Sequence, residues 1–561
     1  MTEDNLKNKF LTTNWNNKNR AQILKRMQES FYDLIIIGGG ITGAGVAREA
    51  ALRKLKVALV DMQDFAAGTS SRSSKLAHGG IRYLASGELD LVKEATTERN
   101  WLRSHLNHLV HPIPFLFVHW DGGKDNRKLI DAAVKLYDYL SDTNQQYTNY
   151  KQHSWHDSEE IIKMEPELKK EGNLGGAIYY DNNVDDARLT IETIKEAVIR
   201  GSDALNYCKV IGYIKQDDTI VGVNCKDLET NIQFEIKGKQ VVNATGIWTD
   251  QLIDSFPPKH PKPLIRQTKG VHLVFKREYV KNRLATIIRS ITDGRAFFVL
   301  PRGEFTLIGT TDTDYHGNLT NPYCSKEDAD YLITSVKYYF PKAELDYQNI
   351  VSAYAGIRPL VMQKGKKESE ISRKHLIFFS DDNLLTITGG KLTTSRKMAE
   401  DLFVELDKKG NFSNISRNKG FSKQIYVATL NEKDWKDKLK EANLYLDERV
   451  SNALYQQYGR GALEILEIMK EKEMYKIPFL EGSRFIPAEI VYILRNELAP
   501  HLIDIFCRRT EMFLLIHHDL QEEVAKKVAK IMASEYEWTN EQTQNEIDTY
   551  LDHVSKSISF I

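Results

Sequence analysis

The chain has 561 residues, 41% hydrophobic and 27% charged, an ordinary globular composition with room for about three or four domains of roughly 150 residues each. Its 77 basic and 77 acidic residues cancel, so no global field recruits nucleic acid. Four widely separated cysteines, Cys208, Cys225, Cys324 and Cys507, lack C-x-x-C spacing and are expected to be reduced, cytosolic and structural, with no metal site.

Residues 1–30 form a polar extension without the apolar core of a secretory signal, and an amphipathic helix is predicted over 21–30. Residues 34–37 are continuously apolar and β-branched, which suits a parallel strand buried on both faces. Gly38, Gly40 and Gly43 follow at G-x-G-x-x-G spacing. The first allows a tight turn, the second lets the backbone approach a pyrophosphate, and the third lets helix and strand pack closely. Amides at the start of the new helix then face the phosphates with the positive end of its dipole. A second apolar strand over 56–60 ends at Asp61, roughly twenty residues past the glycines, where a ribose hydroxyl would be held. This pattern predicts dinucleotide binding and leaves NAD and FAD open.

Residues 64–84, DFAAGTSSRSSKLAHGGIRYL, are dense in small hydroxyl residues and can wrap a phosphorylated ligand. Helices are predicted over 88–109 and 129–140, with Pro112 and Pro114 breaking the chain between them. A strand at 175–180 precedes an amphipathic helix over 186–200, with Leu189, Ile191, Ile194 and Val198 on or near one face. Short strands at 205–210, 219–225 and 233–236 read as a meander leading into KQVVNATGIWTD. There Val241 and Val242 make a buried strand, and Ala244, Thr245 and Gly246 let a ligand come close. Alternation between 264 and 308 predicts antiparallel strands, with a hairpin at Arg302-Gly303-Glu304. TITGGKLTTSRKMAEDL, 386–402, repeats the opening order of strand, glycine pair and helix. Beyond 408 the chain is polar and helical, the better helices falling at 450–469, 487–495 and 520–534. No apolar run approaches the roughly twenty residues that span a bilayer. The expected location is cytoplasmic, with peripheral attachment to the inner face of the cell membrane left open.

Taken in order, the 32–62 fingerprint, GTSSRSSKLAHGGIRYL, VVNATGIW, TKGVHLVF, GTTDTDY, AGIRPL and TITGGKLTT resemble the FAD-dependent glycerol-3-phosphate dehydrogenases and their sister glycerophosphate oxidases. A weaker likeness continues through ELAPHLIDIFCRRT at 497–510. The resemblance implies an α/β fold: a Rossmann-like FAD-binding domain of the glutathione-reductase/amino-acid-oxidase type over 31–405, interleaved with an antiparallel β substrate domain mainly at 110–185 and 262–380. A C-terminal α-helical domain, 406–561, follows. The resemblance also implies FAD as cofactor. Its contacts would come from Gly38, Gly40, Gly43 and Asp61, then from Thr69, Ser70, Ser71, Ser74, Lys75, His78 and Gly79 in the loop. Val210, Ala244, Gly246 and Trp248 would add to these, as would Gly390 and Leu392.

The implied reaction takes a proton from the C2 hydroxyl of glycerol 3-phosphate and a hydride from C2 to flavin N5, giving dihydroxyacetone phosphate. Arg358 and Arg82 are the expected phosphate anchors, with Arg373 as a third, because a guanidinium fork matches phosphate oxygens. His272 is the expected base. His78 competes, although its place beside Gly79 and Gly80 argues for flavin contact. Lys391 would stabilise developing negative charge, Thr393 would hydrogen-bond substrate or flavin, and Tyr83 would line the pocket. Two departures stand out: Ile247 replaces a frequent proline before Trp248, and Thr394-Ser395-Arg396 lacks a frequent tyrosine. A membrane quinone is the expected acceptor, with oxygen and hydrogen peroxide formation as the rival. An amino-acid or amine oxidase on the same fold would need an arginine for a carboxylate in place of a phosphate pocket. A homodimer is kept among the expected assemblies.

Overall fold

The computed structural model describes residues 3–11, 13–255, 263–362, 374–410, 412 and 426–561. The apolar run at 34–37 lies in the strand Phe31–Ile37, inside a sheet ordered His375–Phe379, Leu385–Gly389, Gln233–Asn243, Phe31–Ile37, Val57–Val60, Asp203–Leu205. Parallel neighbours on both edges, and layers on both faces, leave no solvent side, which is why the run does not alternate. The predicted strands at 233–236 and 241–242 are one strand. Its first half pairs antiparallel with Thr219–Asp227 and its second half parallel with Phe31–Ile37.

A second, mostly antiparallel sheet roofs the first. Its longest pair is Ile265–Lys276 with Ile350–Val361, in a register that sets His272 opposite Tyr354 and Thr268 opposite Arg358. The hairpin Ala296–Arg302/Phe305–Gly309 turns at Gly303, whose φ is +59°. Pro112 and Pro114 do not interrupt the chain as expected; they sit within the strand Val110–Trp120. One edge of that strand pairs with Asn173–Val184, while its other neighbour, Ala285–Arg289, begins only opposite Phe115. The prolines therefore occupy a stretch with one open edge, the placement that a missing N–H tolerates.

The helix predicted at 186–200 forms as Asp186–Ile199, but it is not amphipathic in its surroundings: every residue except Val198 is buried. Its polar side faces the C-terminal helices. Arg188 pairs with Glu497 at 2.6 Å, Lys195 donates to the Tyr492 hydroxyl at 2.7 Å, and Glu196 accepts from the Val427 N–H at 2.9 Å. The N-terminal extension is likewise docked, through Trp15 Nε1 to the Ala204 carbonyl at 3.0 Å and through buried Arg20 to Asp227. In the C-terminal domain, the helix predicted at 450–469 is two, Glu448–Tyr458 and Gly461–Glu471, separated at Gly459 where φ is +50°. The last helix, Asn540–Ser557, was not separated by its pattern. One apolar core runs from Phe115 and Tyr179 of the second sheet into Ile490, Phe506 and Met532 of these helices. None of the helices in the described residues is long and apolar enough to cross a membrane.

The motif at 497–510 has a structural explanation. Arg508 Nε reaches Asp64 Oδ2 at 2.5 Å and Arg509 Nη2 reaches Asp64 Oδ1 at 2.8 Å, with the Asp64 side chain fully buried. Burial alone would raise this carboxyl, but Arg509 and Arg508 hold it at about 2. Neighbouring Asp504 goes the other way, raised by burial and then by Asp64. A carboxyl held below its unfolded value of roughly 3.9 contributes stability that is present above that pH and lost as pH falls toward 2. Asp64→Asn keeps the shape but leaves buried Arg508 with Asp504 alone and buried Arg509 with only the longer contact to Glu497, and should cost about 3–5 kcal/mol at pH 7. Urea midpoints measure this, and the gap between variant and wild type should narrow near pH 3; equal midpoints at pH 7 would refute the role given to Asp64.

Candidate active site

A cavity of about 1510 Å³ is lined by both sheets. It exceeds the roughly 300–1,000 Å³ that holds one drug-sized ligand, so a dinucleotide and a small second ligand are compatible with its volume. At one end lies the glycine turn. Gly38 has φ +112°, and a side chain there would meet the Ala244 carbonyl carbon at 2.8 Å. One at Gly43 would press on the Gly38 carbonyl carbon at 3.1 Å, so Gly43 works at the helix–strand crossing behind the cavity wall. The helix Ile41–Leu52 starts here, and its Ile41 N–H donates to Ser70 Oγ at 2.9 Å. Asp61 takes the Gly39 N–H on one oxygen at 2.6 Å and the Gln63 N–H on the other at 2.8 Å. Burial pushes its carboxyl up to about 7. Gly40, Val210, Ala244, Gly246 and Trp248 line the same end. This cradle, with no room for side chains, a helix start and an acid in place, fits the pyrophosphate and ribose of a dinucleotide.

The loop 64–84 then runs the length of the cavity. Thr69 Oγ1 donates to the Ile357 carbonyl at 2.6 Å, which fastens the loop to the second sheet. Ser74 Oγ lies 2.9 Å from His272 Nε2. The His78 N–H donates to Thr393 Oγ1 at 3.2 Å. Farther on, Arg82 Nη2 donates to the Tyr83 hydroxyl at 3.0 Å, and Lys391 Nζ stands 4.0 Å over the Tyr83 ring. Gly390 and Leu392 also border the cavity. Three loop residues are not brought to it. Lys75 is buried in a 2.5 Å ion pair with Asp186, Gly79 gives its N–H to the Tyr137 hydroxyl at 2.8 Å, and Ser71 faces away from the lining. Arg373 lies outside the described residues.

His272 is held on two sides. Its ring stacks on Tyr354 at 4.7 Å and 11°, and its Nδ1 is buried without a hydrogen-bond partner among the described residues. Burial, then Arg358 and Lys75, keep the imidazole well below its ordinary pKa. His78 is pushed down to about 3 by burial, Lys391 and Arg82. Both rings are therefore neutral at neutral pH and available to take a proton. Arg358 Nη1 pairs with Asp312 Oδ1 at 2.9 Å, while its Nη2 donates to Thr310 Oγ1 at 3.1 Å and to the Thr311 carbonyl at 3.2 Å.

Asp312 and Arg295 are among the lining residues that the sequence did not single out. Asp312 stands inside GTTDTDY, a motif that is visible, but nothing in the sequence tells which of its acids turns inward. Arg295 precedes an alternating strand, where an arginine reads as a surface residue. An apolar branch of the cavity, bordered by Phe117, Leu129, Ala133 and Leu136, was also unanticipated.

Residues 33–396 match the family model described as FAD dependent oxidoreductase, and residues 395–543 match that of the C-terminal domain of alpha-glycerophosphate oxidase. The aerobic glycerol-3-phosphate dehydrogenase of Bacillus subtilis is 43% identical over 383 residues, 68% of either chain. That of Staphylococcus saprophyticus is 35% identical over 533 residues, covering 93% of this chain and 94% of the relative. Among solved structures, the glycerol-3-phosphate dehydrogenase from Bacillus halodurans complexed with FAD superposes with a TM-score of 0.79 and 31% identity, over 97% of this chain and 99% of that one. The L-alpha-glycerophosphate oxidase from Mycoplasma pneumoniae, at 20% identity and a TM-score of 0.53 over 67% of this chain and 95% of its own, shares the fold. The matched family model takes in the glycine turn, the hydroxyl-rich loop and both sheets, and the Staphylococcus saprophyticus and Bacillus halodurans relatives match nearly end to end: the chain belongs to the FAD-dependent oxidoreductases and, among them, to the aerobic glycerol-3-phosphate dehydrogenase family.

Proposed function

We propose that this enzyme oxidises sn-glycerol 3-phosphate at C2 to dihydroxyacetone phosphate and passes the electrons to a membrane quinone. The observation that carries the reading is one cavity in which a neutral imidazole, His272, stands beside Arg358, with two further cations, Arg82 and Lys391, bordering the same space. A phosphate dianion and an alcohol to be deprotonated call for that combination. A carboxylate substrate carries a single negative charge and needs fewer cations than this cavity presents, which argues against an amino-acid oxidase.

FAD, when bound, takes up the two electrons and the hydrogen that C2 gives up. Gly38, Gly40 and Asp61 would hold its pyrophosphate and ribose, and Gly390 and Leu392 would border its reactive end. His272 receives the C2 hydroxyl proton at its ring nitrogen, with Ser74 and Tyr354 fixing the ring's direction. Arg358 and Arg82 hold the phosphate, so that binding energy from the unreactive end orients the carbinol carbon. Lys391 supports negative charge building on the C2 oxygen. Thr393 holds the His78 backbone, which sets the wall between the loop and the second glycine turn.

The apolar branch supports a quinone over oxygen as acceptor. Leu129, 55% exposed, borders it, in a stretch where the exposed Lys124, Arg127 and Lys128 are interspersed with Asp121, Asp125 and Asp131. An apolar opening suits an apolar acceptor dissolved in a lipid surface, and it supports a reading in which the enzyme attaches peripherally to the membrane.

Under anaerobic conditions, glycerol 3-phosphate should bleach the bound flavin while free glycerol and amino acids do not; no bleaching would sink the reading. Arg358→Ala should lower kcat/KM by about 10–100-fold, mostly through KM, as expected for a lost charge-assisted bond of about 1.5–3 kcal/mol. His272→Ala should slow anaerobic bleaching roughly a hundredfold or more, and a near-normal rate would move the base to His78 or to water. Leu129→Glu should slow reoxidation by a menaquinone analogue at least fivefold with bleaching unchanged, whereas an oxygen-using enzyme would show no such selectivity.

A further inference from the structure

We propose that Asp312 is a positioning residue that yokes Arg358 and Arg295 into one two-guanidinium receptor for the substrate's phosphate, with Gly270 leaving the space the receptor occupies. The inference rests on the glycerol-3-phosphate reading and adds Arg295 to the Arg358 and Arg82 already assigned there, with the carboxylate that aims Arg295 and Arg358 and the glycine that makes room for Arg358.

Three separate elements meet at this point. Arg358 comes from the strand Ile350–Val361, Arg295 from the turn ahead of Ala296–Arg302, and Asp312 from the segment after Phe305–Gly309. Asp312 Oδ1 holds Arg358 Nη1 at 2.9 Å, and its Oδ2 lies 3.8 Å from Arg295 Nη1. The Asp312 backbone carbonyl also accepts from Arg295 Nη1, so one residue contacts both guanidinium groups and holds the second by two routes. Depth separates their roles. The Asp312 side chain is 6% exposed, whereas those of Arg295 and Arg358 are each 23% exposed, and all three border the cavity. The carboxylate sits behind and the cations stand forward.

The charge balance points to orientation. Placing a carboxylate here makes a worse electrostatic host for a dianion than the arginines alone, the more so because Asp293 also lies 4.0 Å from Arg295 Nε. Its benefit is geometric: a bidentate fork recognises phosphate only when its plane is fixed, and two long side chains otherwise lose that alignment to rotamer freedom. Gly270 contributes by what it lacks. A side chain there would lie 2.8 Å from Arg358 Cζ and would displace the guanidinium from Asp312 and Thr310. Gly270 faces Gly356 across the strand pair, in register two residues from the Thr268–Arg358 pair.

The test compares Asp312→Asn, Asp312→Glu, Arg295→Ala and Gly270→Ala as full-length holoenzymes, with FAD content as the check on folding. Measured quantities are KM and kcat for glycerol 3-phosphate, and the inhibition or binding constant of inorganic phosphate, read from flavin absorbance. Simple electrostatics and positioning predict opposite signs for Asp312→Asn. Loss of a nearby negative charge alone would lower KM and tighten phosphate. Loss of positioning raises KM about 10–50-fold and weakens phosphate in parallel, with kcat changed less than threefold and partial recovery in Asp312→Glu. Arg295→Ala should raise KM about tenfold or more, and Gly270→Ala, which changes no charge, should raise it at least fivefold. An unchanged or lowered KM in Asp312→Asn, or unaltered phosphate binding in Arg295→Ala, would overturn the receptor. If Asp312→Asn does not retain FAD, Gly270→Ala and Arg295→Ala decide the matter by the same constants. Wild-type enzyme that binds phosphate but is not bleached by glycerol 3-phosphate would overturn the substrate reading alone, and the receptor would then stand or fall on the phosphate constants of the variants.

Discussion

Asp64 carries its charge where its side chain has no exposed surface, and much of the architecture follows from keeping it there. Arg508 and Arg509 are consecutive, yet both reach the same carboxylate, because Ile505–Arg509 winds as a wider π-helical turn that brings neighbouring side chains onto one side. Glu497 lies near Arg509 at 3.4 Å and pairs with Arg188 at 2.6 Å, which ties the same C-terminal stretch to the helix Asp186–Ile199. Such pairs add little net stability over an apolar replacement, but breaking one is costly, so they act mainly to permit a single docking. The helical domain is thereby registered on the first sheet.

Asp64 is also the first residue of the loop that builds the cavity. From that anchor the chain is fixed at short intervals by Ser70 at the helix start, Ser74 at His272, Lys75 in its pair with Asp186, Gly79 at Tyr137, and Tyr83 beneath Lys391. The hydroxyl-rich composition of the loop reflects this. A segment pinned to two sheets and several helices needs short donors that turn either way. Lys75 and Gly79 belong to this fastening and not to the lining. They stand in a motif shaped by ligand binding because the motif must also hold itself in place.

What could be read from the sequence was the grammar confined to neighbouring residues. The glycine turn with its flanking strands, the second turn before Ser395–Lys408 and the hairpin at Gly303 need only local spacing to declare themselves. Asp186–Ile199 shows the limit. Its apolar face was visible, but its charged face looked like a solvent face because the partners, Glu497 and Tyr492, lie some three hundred residues away. Arg295 and Asp312 were hidden at shorter range, 17 residues from each other and 46 between Asp312 and Arg358, because their meaning comes from three elements meeting at one point. Pro112 and Pro114 failed for a related reason, since a proline's local preference for breaking structure yields where a strand has an open edge.

The electrostatics of the cavity join anchor and base. His272 is kept neutral first by burial and then by the positive charge of Arg358, so the residue assigned to hold the phosphate also suppresses the basicity of the residue assigned to take the proton. In the unliganded cavity this prevents a buried imidazolium, which would repel the cations around it. A dianion seated on Arg358 offsets that positive charge, and the imidazole recovers basicity at the moment a hydroxyl group lies against it. Free glycerol would bring no second negative charge to Arg358 beside that of Asp312 and would leave His272 the weaker base. On the proposed reading the phosphate would contribute to the rate as well as to affinity, and the cations beside His272 would help exclude the unphosphorylated alcohol even if it fits.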